Sequence, residues 1–385
     1  MHTGRGHFNV LAISQEAAKK TFRNGAATNI TSTNEKDAFH KMRPREACTA
    51  TMYVRTKLRQ RDSGLSDLFM KRAWKKLRYR LEHIGLLIAA NLVPFLPRPV
   101  LVALAKIFGA VAAIVDRYGR RIALANLDCA FGEKYSALEK RRILRQSYQH
   151  FAQTMLDLMW SPRLTPENFS RYIEFEGFRE VDPRQSGIVV CYHYSNFEWL
   201  SLGCGFRGRT STILAQEFKN ALLDPIFRRW REQSGHVFSG RTGGILRLFK
   251  TLRRGGNTAM LVDLTVFPGA SAVAIECFGL HTSVTSAHAW LQQRSGAALI
   301  PAHCDPLPRG RYRVVFHSPI DLGPNATPRE IAQACWDSFE PIVRAKPGPW
   351  LWMYKHWRYL PKNPDRPYPF YSGLNGKFER MLTQK

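Results

Sequence analysis

The pattern of apolar and basic positions predicts a pair of helices near the N-terminus. A Lys/Arg-rich amphipathic stretch leads into residues 84–97, which are 14 residues without a charge, and 99–115 continue with Lys106 as their one charged side chain. Neither run reaches the roughly 20 apolar residues that a spanning helix needs, and prolines interrupt the pattern. We therefore expect a membrane-associated helical segment at 65–118, lying at the bilayer surface. Two buried core helices are the alternative.

The remainder of the chain predicts alternating strands and helices. Residues 134–160 form a long amphipathic pattern that begins near Ser136. After Pro162, short apolar runs alternate with helical periodicity. The predicted strands are 172–175, 187–192, 211–215, 259–262, 273–277, 297–302 and 312–316. The predicted helices are 197–204, 220–233, 243–253, 285–294 and 327–344. This alternation indicates an α/β sheet covered by helices.

Charge changes the picture of the termini and of the partners. The 385 residues include 57 Lys and Arg against 30 Asp and Glu, a net charge of +27. Such a field favours an anionic membrane, an acidic protein or nucleic acid. The excess is concentrated at the start, so we expect residues 1–60 to be a basic, disordered extension. Residues 119–361 are expected to form the main domain, and 362–385 a C-terminal tail.

Several classes of site are excluded or disfavoured. The seven cysteines include no Cys-x-x-Cys pair, which argues against a disulfide framework and fits a reducing compartment. Residues 1–50 contain no apolar run of the kind found in a cleavable signal peptide. Histidines and a cysteine within 281–304 fit no standard metal spacing, so no metal is expected. Residues 203–208 match G-x-G-x-x-G, but they follow a predicted helix instead of a strand, unlike a dinucleotide site.

The segment CYHYSNFEWL, residues 191–200, holds the main catalytic candidate. His193 follows a predicted buried strand, and functional side chains of α/β sheets gather where strands end. Ser195 or Asn196 can cap the next helix. Glu198 is in the first turn of that helix, where its carboxylate can accept from one imidazole nitrogen and leave the other as a general base. An ordinary hydrogen-bonded histidine is the alternative.

H-x4-E after an apolar strand resembles the motif of the glycerolipid-type acyltransferases. Its flanks resemble the late, lauroyl/myristoyl-type acyltransferases of lipid A biosynthesis. Four further blocks, one before this motif and three after it, occur in the family's order over about 84–361. They are GRRIALANLDCAFGEKYSALEKRRILRQSYQHFAQTMLDLM, GRTGGILRLFKTLRRGGNTAMLVDL, IECFGLHTSVTSAHAWLQQRSGAALIPAH and WLWMYKHWRYLP. The chain departs from the family in three places: the usual Arg is absent near Gln216 and Glu217, Leu264 replaces a Gln, and Cys277 replaces a Phe.

The resemblance implies a glycerolipid-acyltransferase-like mixed sheet flanked by helices. It also implies acyl transfer from a thioester to a hydroxyl of a lipid A precursor, or of a related glycolipid or phospholipid. His193 is expected to act as the general base with Glu198 as its partner, and Arg241, Asp263 and Asn196 to bind substrate. Acyl carrier protein is the expected donor, with acyl-CoA as the alternative. We expect no cofactor, no metal and no nucleic acid, and a location on the cytoplasmic face of a bacterial inner membrane.

One predicted helix carries a separate basic surface. Arg247, Lys250, Arg253 and Arg254 share it with an apolar stripe. It suits membrane phosphates or an acidic acyl carrier, and a solvated face over a core stripe is the alternative. A non-catalytic cationic protein bound to anionic lipid or nucleic acid is the competing functional class. The interleaved basic and aromatic residues match no nucleic-acid-binding module.

Overall fold

The computed structural model describes residues 72–178, 186–240 and 242–383. The predicted extension 1–60 and the substrate-binding candidate Arg241 therefore lie outside the described residues. The chain divides into a smaller unit, Val10–Leu87, and a larger unit that includes Ile88–Lys385. The described part of the smaller unit is helical, within a helix α1 at 72–92. The elements after α1 all belong to the larger unit.

Nine further helices are described, together with eleven strands. The helices are α2 Arg98–Val115, α3 Arg117–Phe131, α4 Ala137–Trp160, α5 Phe197–Phe206, α6 Asp224–Glu232, α7 Gly244–Arg253, α8 Ala287–Ser295, α9 Pro328–Ala345 and α10 Gly376–Thr383. The strands are β1 Ile173–Glu176, β2 Gly187–Cys191, β3 Ser211–Leu214, β4 Val237–Ser239, β5 Asn257–Leu261, β6 Ala272–Cys277, β7 Leu280–Thr285, β8 Ala298–Leu307, β9 Arg311–Phe316, β10 Tyr359–Leu360 and β11 Gly373–Leu374.

Seven strands form the central sheet, in the order β1-β9-β8-β2-β5-β3-β4. Strands β8, β2, β5, β3 and β4 run parallel to one another, whereas β9 is antiparallel to β8. Every residue of β2 is buried, as its continuous apolar sequence predicts for a strand covered on both faces. The expected mixed α/β sheet flanked by helices is confirmed. Because the parallel strands share one direction, their carboxyl ends form a single edge.

The long helix α4 begins where its sequence predicts. Ser136 accepts from the Glu139 backbone N–H while the Glu139 carboxylate accepts from the Ser136 backbone N–H, a capping box. Helix α2 packs along α4. The two backbones approach so closely that a Cβ on Gly109 would overlap the backbone of Gln149. The contact therefore requires glycine, and it holds α2 to the domain along one face.

The opposite face of α2 is apolar and exposed. Leu101, Ala105, Gly109 and Ala113 are its buried residues. Its large exposed side chains are Val100, Ile107, Phe108, Val111, Ile114 and Val115. Among the described residues, one helix, α2, is long enough and apolar enough to cross a bilayer, judged by length and composition alone. Because one face of α2 packs against α4, the opposite face of α2 forms an apolar ridge that points outward.

The C-terminal segment is folded against the domain. Phe378 of α10 is fully buried, and β11 pairs with β10. Arg366 donates to the carbonyl oxygens of Phe278 and Cys129, at 2.9 and 3.1 Å. Residues 362–383, which the sequence pattern predicts as a tail, therefore have defined contacts with α3 and with the hairpin formed by β6 and β7.

Candidate active site

His193 stands at the carboxyl edge of the sheet, two residues beyond the end of β2. Its imidazole is half-buried beside the ring of Phe197, with 5.0 Å between ring centroids. Strand-end placement follows from the local sequence, because the buried run 187–191 ends just before it. This agrees with the sequence prediction and leaves part of the ring accessible.

The partner of His193 is Asp263, which follows β5 on the neighbouring strand. The Nδ1 atom of His193 is 2.8 Å from Oδ1 of Asp263, and the His193 backbone N–H donates to Oδ2 at 2.9 Å. A carboxylate can only accept, so Nδ1 carries a proton, and in the neutral imidazole Nε2 is then the nitrogen with the lone pair. The imidazole is thereby held in the tautomer that a general base requires.

A tryptophan from the C-terminal region fixes Asp263. The indole N–H of Trp350 donates to Oδ2 at 2.9 Å, and the carboxyl group is fully enclosed. Burial opposes ionisation of this carboxyl, but the His193 imidazole and the Trp350 N–H outweigh it. The pKa of Asp263 therefore lies below its ordinary value, and the group is a carboxylate at neutral pH. Trp350 in turn stacks on the buried His356, with ring centroids 4.0 Å apart.

Glu198 does not contact His193, contrary to the expectation from the sequence. Both of its carboxylate oxygens accept from Arg231 of α6, with Nε donating to Oε2 at 2.9 Å and the terminal nitrogen binding Oε1. The Glu198 side chain is buried and that of Arg231 is nearly so. The expected pairing is therefore corrected: Glu198 lies in the first turn of α5, and its carboxylate is directed towards Arg231 of α6 instead of His193.

Asn196 is a structural residue in this arrangement. Its Oδ1 accepts from the Trp199 backbone N–H and caps α5, as predicted, while its amide donates to Oδ2 of Asp157 at 2.8 Å. The side chain is completely buried. Neither Asn196 nor the enclosed Asp263 presents a free group to a substrate head group, in contrast to the role that the sequence suggested for them.

Asp157 is the centre of a buried network that sequence reasoning missed. Arg98, Gln153 and Tyr312 also donate to its carboxylate. The guanidinium of Arg98 lies 4.5 Å from the ring centroid of Trp199 as well. The only signal in the sequence was that Arg98 interrupts an apolar run. This network ties the start of α2 to the cap of the helix that follows His193.

Backbone strain marks the same loop. Ser195 has φ of 51°, in the left-handed region that favours glycine. Its backbone N–H donates to the carbonyl of Pro349, and its own carbonyl accepts from the Thr154 hydroxyl. These contacts from α4 and from the segment before Trp350 hold the turn. They aim His193 at the sheet edge.

A surface pocket opens beside the Glu198–Arg231 pair. Its lining comes from the carboxyl ends of β3 and β4 and from α6: Ala215, Gln216, Glu217, Phe218, Asp224, Phe227, Arg228, Arg231, Phe238, Ser239 and Gly240. Since β3 and β4 are parallel to β2, this pocket and His193 occupy the same edge of the sheet. Among the described residues, no group of His, Cys, Asp and Glu has the arrangement of a metal site.

Comparison with known proteins identifies the family. A family model described as bacterial lipid A biosynthesis acyltransferase matches residues 69–359. Among solved structures, the chain is similar to the 1-acyl-sn-glycerophosphate acyltransferase PlsC from Thermotoga maritima. The two are 17% identical over 66% of this chain and 98% of that chain, with a TM-score of 0.33. Among curated proteins no match was found.

The matched region contains the whole constellation described above. His193, Asp263, Trp350 and the Glu198–Arg231 pair all lie within residues 69–359. The match extends over about three quarters of the sequence, from the apolar helices to the segment after Trp350. The chain therefore belongs to the bacterial lipid A biosynthesis acyltransferase family and is an acyltransferase of lipid biosynthesis.

Proposed function

We propose that this enzyme transfers a fatty acyl chain from acyl carrier protein to a hydroxyl group of a lipid A precursor, with His193 as general base. Membership of the family establishes the general activity, which is acyl transfer to a lipid. The observation that carries the mechanism is the contact between His193 and the ionised Asp263. A histidine with one nitrogen fixed and the other free is suited to take a proton from a hydroxyl.

The proposed reaction needs no metal and no covalent enzyme intermediate. Nε2 of His193 removes the proton from the acceptor hydroxyl as its oxygen attacks the thioester carbonyl. The new C–O bond forms, the C–S bond breaks, and the departing thiolate takes the proton from the imidazolium. Asp263 stabilises the imidazolium and keeps its orientation. General base catalysis of this kind contributes roughly 10²–10⁴-fold.

Glu198 takes a positioning role in this proposal. Its carboxylate neutralises Arg231, which also lines the surface pocket. Arg231 lies 5.5 Å from the ring centroid of Phe227 and 5.6 Å from that of Phe238. The pair thus supports the wall between α5 and the pocket, which we assign to the acceptor head group.

The basic surface on α7 supports a carrier-protein donor. Arg247, Lys250, Arg253 and Arg254 are all exposed, and no acidic residue interrupts the helix. An acyl carrier protein presents an acidic face that such a surface attracts, whereas acyl-CoA needs only a local phosphate site. The outward apolar face of α2 supports a position at the cytoplasmic face of the inner membrane, where the lipid acceptor resides.

The test is acyl transfer with purified full-length enzyme and its His193→Ala variant. Acyl carrier protein charged with a fatty chain is mixed with lipid A precursor in detergent micelles, and products are analysed by mass spectrometry. We expect an acylated product from the wild-type enzyme and its loss in the variant, with lipid binding retained. Near-normal turnover by His193→Ala would rule out the mechanism. Lipid binding without turnover by either protein would count against the proposed donor and acceptor.

A further inference from the structure

Residues 362–383 lie beyond the part of the chain that the family model matches, yet they are firmly docked on the domain. The buried ring of Phe378 and the Arg366 hydrogen bonds anchor this segment. The hydroxyl of Tyr371 donates to Asn126 of α3, and the His281 backbone N–H donates to the Tyr368 hydroxyl. Its outward side chains are therefore presented on a fixed surface.

That surface is apolar and cationic together. Leu374 is 71% exposed, Phe267 is 55% exposed and Phe370 is 45% exposed. The guanidinium of Arg121 lies 4.1 Å from the ring centroid of Phe370, and the Lys377 ammonium lies 5.2 Å from that of Phe267. Aromatic rings with adjacent cations are characteristic of side chains at a lipid headgroup layer.

The same surface continues into the outward ridge of α2. Tyr118 follows Val115 by three residues and is 41% exposed. The ammonium of Lys355 lies 5.1 Å from the ring centroid of Tyr118 and 5.5 Å from that of Tyr371. Exposed apolar residues that occur singly need no explanation, but a run of them joined by cations indicates an interaction surface.

Charge selects the partner. Residues 355–383 contain six Lys and Arg and two Asp and Glu. A cationic rim around exposed rings is complementary to an anionic bilayer, and each basic residue near such a surface strengthens binding roughly fivefold. The α7 surface differs, because its basic residues Arg247, Lys250, Arg253 and Arg254 outnumber its one large exposed apolar side chain, Leu246.

We propose that the apolar and cationic side chains around Phe267, Phe370 and Leu374 form a second membrane-binding surface, which docks on anionic lipid and holds the active-site edge against it. Phe267 is four residues beyond Asp263, in the loop that leaves the carboxyl end of β5. A bilayer at Phe267 is thus beside the edge that holds His193. The proposal rests on the proposed function only in taking the acceptor from the membrane.

Hydrogen exchange of the full-length protein tests which residues contact the membrane. The protein is bound to vesicles of phosphatidylethanolamine and phosphatidylglycerol, or mixed with vesicles of phosphatidylcholine. We expect slower exchange at residues 264–270 and 368–378 on the anionic vesicles, and no change at 319–326. The last segment is the control, because Ile320 pairs with Leu299 at the opposite, amino edge of the sheet. Unchanged exchange at the first two segments in vesicle-bound protein overturns the proposal, as does protection by acyl carrier protein without vesicles.

A kinetic comparison then separates this surface from the catalytic proposal. In the variant F267S/F370S/L374S we expect at least a tenfold higher KM for acceptor in anionic vesicles. The kcat/KM for a short-chain acceptor dissolved as monomers should stay unchanged. The control Leu322→Ser removes a side chain that is 49% exposed near the amino edge, and it should alter neither value. Equal KM values for the triple variant and Leu322→Ser contradict the proposal. An absence of acyl transfer to either acceptor counts against the proposed function, while the exchange experiment still decides the surface.

Discussion

His193 and Asp263 are separated by 70 positions and meet because they follow neighbouring parallel strands. The motif spacing pointed instead to Glu198, which is five residues away in the first turn of the helix that follows His193. A short sequence interval favours a local partner, but the first turn of α5 directs that carboxylate to Arg231. At the scale of single residues, we therefore expect different effects on kcat when Asp263 and Glu198 are replaced.

Replacing Asp263 by Asn should lower kcat by roughly 10²–10⁴-fold, because the amide no longer stabilises the imidazolium or enforces the tautomer. Glu198→Gln should lower kcat much less. It should lower the free energy of unfolding by roughly 3 kcal/mol, because it leaves the nearly buried Arg231 uncompensated. Steady-state kinetics and denaturant titration of both variants provide the measurement. Equal losses of kcat would show that Glu198 serves His193 in the working enzyme.

At the scale of elements, the contact of α2 with α4 depends on one glycine. Gly109→Ala should lower the free energy of unfolding by several kcal/mol, since the added Cβ meets the Gln149 backbone, which cannot move aside. Gly85→Ala in α1 is the matched control, because a Cβ there meets nothing within 4 Å. It should be neutral or stabilising by roughly 0.5–1 kcal/mol, the helix propensity of alanine over glycine. Thermal denaturation in detergent measures both, and a mild effect at Gly109 would contradict the close packing.

The α7 surface predicts the choice of donor. The variant R253E/R254E should lower kcat/KM for acyl carrier protein more than for the same chain on CoA, because steering by opposite charges is lost. The difference between donors in the wild-type enzyme should shrink as salt shortens the Debye length, about 10 Å at 0.1 M. Assays in neutral detergent micelles exclude the effect of salt on membrane binding. Equal kcat/KM for both donors at low salt would show that the basic surface does not serve the carrier.

At the scale of the whole molecule, four wholly or partly buried histidines predict how stability depends on pH. Burial lowers the pKa of His150, His288, His317 and His356 to about 4. In the unfolded chain these groups take up protons near pH 6.5, whereas in the folded protein they stay neutral to about pH 4. The stability that they confer is therefore present above pH 6.5 and is lost as the pH falls towards 4.

We expect the melting temperature to fall between pH 7 and pH 4.5, and His288→Leu to flatten that decline. His288 is the clearest test, because the ring is 1% exposed and neither nitrogen has a hydrogen-bond partner. Leucine keeps the apolar contacts without a titrating group. Scanning calorimetry over this range measures the slope, and an unaltered slope in the variant would assign the pH dependence to other groups.

Local chemistry was readable from the sequence by itself. The buried strand before His193, the capping of α4 at Ser136 and the apolar face of α2 each depend on residues close together in the chain. Periodicity reports such elements because hydrogen bonding and side-chain direction repeat within one helix or strand. The family blocks likewise lie in continuous segments, and the family that they indicated is confirmed by the family match.

Tertiary structure alone decided which side chains meet. Asp263 reaches His193 because β2 and β5 are adjacent in the sheet, and Trp350 reaches Asp263 from a segment 87 residues further on. Arg98 and Asp157 form a buried pair from helices that no spacing rule connects. Periodicity identifies strands but not their order, since strand order depends on how apolar faces pack and how buried polar groups find partners across the domain. The acidic partner of His193 is therefore a property of the folded sheet.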